Sequence, residues 1–159
     1  MQKDWRFAER GIFMVNLLAI VYNDTKILIG KRFEDEYINE LNWSFPGGRP
    51  IYNETLENSL KYEVKRKTNI DIEIKCLYHA RLFESKPHFM LLYYIAKSKN
   101  NNIIAGEKFF DVKWIESDIA ESYFNTPTDQ KISFLLKNFK KCLSNGKINL
   151  ELLFNSLNT

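Results

Sequence analysis

The sequence is poor in the features that would declare a function outright. Its 159 residues include only two cysteines, Cys76 and Cys142, far apart and with no paired neighbour. That excludes a disulfide framework and a Cys-based zinc site, and it suits a reducing, cytoplasmic setting. Histidine is as scarce: His79 and His88 stand nine residues apart without ligand spacing, so strand or loop roles are expected of them rather than general-base work. Neither sign of charge dominates, with 23 Lys and Arg against 20 Asp and Glu, a net of +3 spread along the chain. No basic stripe announces nucleic acid. The longest apolar run, "IFMVNLLAIVY" after Lys3, Arg6 and Arg10, is broken by Asn16. It falls short of the roughly 20 residues that span a bilayer, and no small-residue cleavage site follows it. A buried strand is expected there. There is no repeat, low-complexity segment or linker, and the length and 45% apolar content fit one domain with an ordinary core.

What is present alternates between strand and helix patterns. Phe13 to Tyr22 and Lys26 to Lys31 read as strands joined in a hairpin through "NDT". An acidic loop from Glu34 to Asn42 leads to "WSF", a short strand that "PGG" breaks. A helix is expected next. Asn53 is its N-cap, Glu54 and Glu57 suit its positive end, and Leu56, Leu60 and Val64 form the buried stripe, ending near Thr68. Strands over Ile72 to Phe83 and Phe89 to Ala96 are joined through "ESKPH"; "KSKNNN" is a loop and "FFDVKWI" a last strand. Phe89, Tyr93 and Tyr94 are expected in the core. From Pro127, capped by Thr126 or Thr128, the residues Ile132, Leu135, Leu136, Phe139 and Leu143 fall at helical spacing; "SNGK" ends that helix and "INLELLFNSL" adds a short one. The fold class is therefore α/β or α+β, a mixed sheet sandwiched between helices in one domain over 1–159, with a C-terminal helical extension over about 127–159.

One stretch carries chemistry. In "PGGRPIYNETLENSLKYEVKRKTNI", the adjacent Gly47 and Gly48 let backbone groups approach a ligand, and the helix that follows points its positive end nearby. Alone, this is also how a chain simply turns out of a strand. The spacing of Gly48, Glu54, Glu63, Val64 and Ile70, without a gap, resembles the box of the Nudix hydrolase superfamily. The flanks "ILIGKR", "WSFPGG" and "VKWIESDI" resemble that family's neighbouring segments, so the resemblance runs from about Phe13 to Phe139. "IGKR", "WSFPGGR" and "NETLENSL" look closest to the GDP-mannose mannosyl hydrolase branch.

The resemblance implies a Nudix fold and hydrolysis of a nucleoside diphosphate linked to another group, a nucleotide sugar among the candidates, with Mg²⁺ or Mn²⁺ bound by carboxylates. The box here is degenerate. Positions 63, 66 and 67, all acidic in the family pattern and all on one helical face, are Glu63, Arg66 and Lys67, so their formal charge changes from −3 to +1. At an effective dielectric of about 20, each like charge about 4 Å from the ion opposes it by roughly 4 kcal/mol. Tyr62 and Asn69 also depart from the box. Alignment on Trp114 puts Lys108 and Phe109 where the mannosyl branch has its glutamine and catalytic histidine.

If the chain is an enzyme, Glu63 is the catalytic candidate, and Glu63, the Gly48 carbonyl and Glu107 are the metal candidates. If it is a binding module on the same fold, sensing a nucleotide or an RNA end, no cofactor is needed. Arg66 and Lys67 then clamp a diphosphate beside Gly47 and Gly48, with Arg32 and Arg49 as further phosphate ligands. In the plainer reading, Glu63 and Lys67 are a surface i to i+4 pair, and the cations merely suit the last helical turn. The candidate partners are thus a nucleotide-type small molecule, an RNA and a second copy of the chain in a homodimer. A membrane is not among them.

Overall fold

The computed structural model describes residues 11–33 and 42–156. The acidic loop expected from Glu34, apart from Asn42, lies outside the described residues, as do Lys3, Arg6 and Arg10.

Strands β1 (Met14–Asn23) and β2 (Lys26–Arg32) meet in a tight hairpin, with Tyr22 opposite Ile27 and Asn23 opposite Lys26. Asp24 takes φ 51° at its tip, a left-handed conformation that a short polar side chain tolerates. β3 (Trp43–Ser44) pairs with β2, and β4 (Gly47–Gly48) folds back onto the middle of β1. Helix α1 (Leu56–Thr68) follows, then a long hairpin of β5 (Ile72–Phe83) and β6 (Lys86–Ser98), and β7 (Phe109–Glu116). β1 and β6 run parallel while the other pairs are antiparallel, giving a mixed sheet in the order β3-β2-β1-β6-β5, with β4 on β1 and β7 on β2. The chain closes with a 3-10 segment (Ser117–Tyr123), α2 (Gln130–Asn138), a second 3-10 turn (Phe139–Cys142), a miniature hairpin of β8 (Leu143–Ser144) and β9 (Lys147–Ile148), and α3 (Leu150–Ser156).

The two-residue period of the central strands divides the core. Leu17, Ala19 and Val21 of β1 and Tyr94 and Ala96 of β6 face one side, where they pack with Leu60 and Val64 of α1 and with Ile70. Ile20 and Tyr22 of β1 and Tyr93 and Ile95 of β6 face the other, against Ile132, Leu135, Leu136 and Phe139. The sheet is thus held between helices. Each fully buried aliphatic side chain in these layers contributes roughly 1.5–3 kcal/mol.

Several boundaries differ from expectation. Asn53 does not cap α1: it sits in the turn at φ 65°, and Thr55 is the cap, its Oγ1 accepting from the Asn58 N–H at 3.0 Å. Asp129 caps α2 in place of Thr126 or Thr128, accepting from the Lys131 N–H at 2.9 Å. A carboxylate at a helix N-terminus gains from the dipole as well as the hydrogen bond. "ESKPH" is mostly strand, because Phe83 already pairs with Lys86 and leaves a two-residue turn. The strand also extends through "KS" to Ser98, backed by β5. "SNGK" is the turn of the β8–β9 hairpin, with Asn145 and Gly146 both at positive φ, the geometry a two-residue hairpin requires.

Candidate functional site

The "PGG" segment is more than a strand breaker. Gly47 and Gly48 pair with Leu18 and Leu17, and the Pro46 carbonyl accepts from the Ala19 N–H at 2.9 Å. A Cβ on Gly47 would stand 1.9 Å from the Leu17 carbonyl oxygen, so only glycine lets this turn press onto β1. One at Gly48 would stand 2.5 Å from Glu63 Oε2. The helix therefore lays its carboxylate directly over the second glycine.

Helix α1 reaches that turn because its inner face is half apolar and half polar. Leu60 and Val64 anchor it to the core, while Ser59, Glu63, Lys67 and Thr68 are buried on the same face. Ser59 and Thr68 satisfy themselves locally: Ser59 Oγ accepts from the Ile51 N–H, and Thr68 Oγ1 donates to the Val64 carbonyl. Glu63 and Lys67 are left facing the glycines. The helix ends at Asn69, left-handed at φ 64°, whose N–H donates to the Lys65 carbonyl. The segment before β7 is stitched to this end through Ile104 N–H to Thr68 O and Gly106 N–H to Lys67 O, which brings Glu107 alongside.

Four charged side chains form a linked network. Glu63 Oε2 receives Arg66 Nη2 at 2.7 Å and lies 3.1 Å from Lys67 Nζ, while Arg66 Nη1 reaches Glu107 Oε2 at 2.5 Å. Lys67 Nζ also donates to the Gly47 carbonyl oxygen. Glu63 and Lys67 are only 7% and 6% exposed, so the pairing is buried rather than the solvated surface pair of the plainer reading. Burial pushes the Lys67 ammonium below its ordinary range, and the Glu63 carboxylate opposes the shift. The hydrogen bond to Glu63, and next that to Glu107, raises Arg66 further, against some desolvation. The guanidinium is thereby committed to two carboxylates, and the diphosphate clamp expected of Arg66 has no spare charge behind it.

The divalent cation that the resemblance implies does not fit these residues. Of the three expected ligands, Glu63 is held by two cations and Glu107 by one of the same two. Beside the third, the Gly48 carbonyl, the Gly47 carbonyl already accepts from Lys67. Among the described residues, no group of three or more His, Cys, Asp or Glu side chains could hold a metal ion.

The network forms one wall of a pocket of about 680 Å³. Arg32, Gly47, Gly48, Arg49, Glu63, Arg66 and Lys67 all line it, whereas Glu107 stands outside. Among the described residues, six cationic side chains, the four just named with Arg81 and Lys108, meet two acids, Glu63 and Asp129. Phe33, Trp43, Phe45, Phe83, Phe89, Tyr93 and Phe124 supply aromatic walls. The far wall was missed in the sequence. There Arg81 Nε and Nη2 donate to the Tyr93 hydroxyl at 3.3 and 3.2 Å, and His79 stacks on the same ring, 6.1 Å between centroids. His79 Nε2 lies 3.0 Å from Asp129 Oδ1, a distance that becomes a hydrogen bond once Nε2 carries the proton. Burial raises the Tyr93 hydroxyl above its usual range despite the nearby Arg81 charge. The available signal was the alternation His79, Arg81 on one strand, which places both on one side of β5.

The chain belongs to the Nudix hydrolase family: the model of the NUDIX domain matches residues 13–136. It is 30% identical over 115 residues to an 8-oxo-dGTP diphosphatase of Buchnera aphidicola subsp. Schizaphis graminum, which covers 70% of this chain and 83% of that protein. Among solved structures, a NUDIX hydrolase from Nitrosomonas europaea superposes with a TM-score of 0.69 at 19% identity, over 82% of this chain and 73% of that one. A bifunctional NMN adenylyltransferase/ADP ribose pyrophosphatase from Francisella tularensis, complexed with AMP and a Mn ion, gives 0.64 at 22%, over 84% and 44%. The architecture is the Nudix fold in a single domain. Among the described residues, no helix is long and apolar enough to cross a membrane.

Proposed function

We propose that this protein recognises a nucleoside diphosphate carrying a further group, and that it does so on a degenerate Nudix box without hydrolysing it. The observation that carries this reading is a pocket lined, among the described residues, by six cations and two acids within aromatic walls, in which Arg81 has no acid partner. Clustered cations favour a polyanionic phosphate chain, and aromatic faces offer a base or sugar a stacking surface. Lack of turnover follows from the acids. With Glu63 tied to Arg66 and Lys67, no carboxylate among the described residues at the glycine turn is placed to hold an ion or activate water.

Calorimetric titration in EDTA with ADP-ribose, 8-oxo-dGTP, GDP-mannose and a short RNA bearing a 5′-diphosphate tests the proposal. At least one is expected to bind without metal and to be recovered intact; the RNA arm separates the RNA-end reading, and GDP-mannose the nucleotide-sugar one. Binding by none would overturn it. The second reading, an active diphosphatase on a rearranged metal site, is favoured by the activity in the relative's name. Product formation with Mg²⁺ or Mn²⁺, lost in Glu63→Gln, would establish it instead.

A further inference from the structure

The family's metal requirement and this chain's donors disagree, and the disagreement has a definite shape. The Lys67 ammonium donates to the Gly47 carbonyl and lies 3.1 Å from Glu63 Oε2, so one cation touches both the glycine turn and the helix carboxylate. Those two kinds of group, a glycine-turn carbonyl and the box glutamate, are what the family resemblance assigns to the divalent ion. The geometry points to Lys67 as a tethered cation in the ion's place, a positive charge built into the chain so that this position neither requires nor admits Mg²⁺ or Mn²⁺.

Three further features make the replacement firm. Arg66 holds the same Glu63 oxygen at 2.7 Å, so an entering ion would have to displace two cations from one carboxylate. Glu63 lies directly over the second glycine, where a Cβ on Gly48 would stand 2.5 Å from its Oε2, so its contact with Lys67 is made at the glycine turn itself. Glu107 is turned to Arg66 at 2.5 Å rather than to the glycine turn. Chemically the substitution is unequal. An ammonium has three N–H donors and no coordination site, so it can face an anion but cannot bind a water and lower its pKa as a metal ion does. A pocket built this way keeps positive charge whatever the divalent-ion concentration around it.

The inference is independent of which ligand the pocket takes, and Mn²⁺ alone tests it. In a ¹⁵N–¹H spectrum of the whole protein titrated with Mn²⁺, the Gly47, Gly48 and Glu63 amides are expected to broaden no more than exposed amides elsewhere. Selective broadening at those three in the wild type would overturn the proposal. The double variant Arg66→Gln, Lys67→Glu removes both cations and supplies a second carboxylate. It is expected to show that selective broadening, with Mn²⁺ affinity at least about tenfold tighter than wild type, a change of about 1.4 kcal/mol. A folded double variant that behaves like wild type would also overturn it. Should the variant not fold, the wild-type spectrum decides the matter alone.

Discussion

The two ends of the pocket use charged residues in opposite ways. At the α1 end, Arg66 and Lys67 face Glu63 and Glu107, and the cations are answered within the protein. At the β5 end, Arg81 donates to a neutral phenol, the Tyr93 hydroxyl, and lies over the Phe83 and Tyr93 rings at 5.7 and 5.9 Å. No acid pairs with it among the described residues. The number of cations lining a cavity is therefore a poor measure of its anion affinity. What matters is how much of each charge is left over. By that measure the first end holds structure together, and the second is where an incoming phosphate finds a charge to meet.

The strongest way to break this comparison is at Glu63. Glu63→Gln leaves the Lys67 ammonium buried without its compensating charge, and losing one partner of a buried ion pair costs about 3–5 kcal/mol. Urea unfolding should show that loss. The double variant Glu63→Met, Lys67→Met, which removes both charges while keeping unbranched bulk, should recover most of it. A single variant within about 1 kcal/mol of wild type would mean that the network is effectively solvated and that the two ends do not differ in kind.

Arg81→Met sharpens the comparison from the other side. It retains much of the side chain's packing and removes only the charge, so stability should change by less than about 1 kcal/mol. Nucleotide affinity, read by the same EDTA titrations, should fall about tenfold or more, since a hydrogen bond to a charged group contributes roughly 1.5–3 kcal/mol. Arg66→Met should affect affinity less than Arg81→Met does. The reverse order would return the clamp to the α1 end.

Much of the fold was legible because its signals are local. The apolar run of β1, the Leu60 and Val64 pair of α1, from whose expected stripe Leu56 is left 37% exposed, and the gapless spacing from Gly48 to Ile70 each report one element. What escaped depends on contacts across the chain. That two glycines form a strand is visible only from the backbone of β1 pressing on Gly47. That the Gly47 carbonyl accepts from Lys67 depends on contacts across 20 residues of chain. The box positions identified Glu63, Arg66 and Lys67 as one helical face, but not that Glu63 and Lys67 would be buried, because burial comes from β1 and the segment before β7. Nothing in the spacing of His79, Arg81, Tyr93 and Asp129 announces that β5, β6 and the cap of α2 meet at one wall.

The smallest expected effect concerns pH, and it asks which force governs Lys67. Its folded-state pKa lies below the ordinary 10.5, with burial as the first cause and Glu63 acting in opposition. Below both pKa values the ammonium is protonated folded and unfolded, and the group adds no pH dependence. Between the depressed folded value and 10.5, the unfolded chain binds more protons than the folded one, so stability rises with pH across that window. The other lysines and tyrosines titrate in the same range, but they are common to wild type and Lys67→Met and cancel in the difference. Urea unfolding of the two proteins from pH 8 to 10.5 should therefore show the wild type gaining on the variant as pH rises. A wild type that loses ground instead would mean that Glu63, not desolvation, controls the ammonium. The cation would then stabilise the fold, where the burial-dominated reading has it held at a cost.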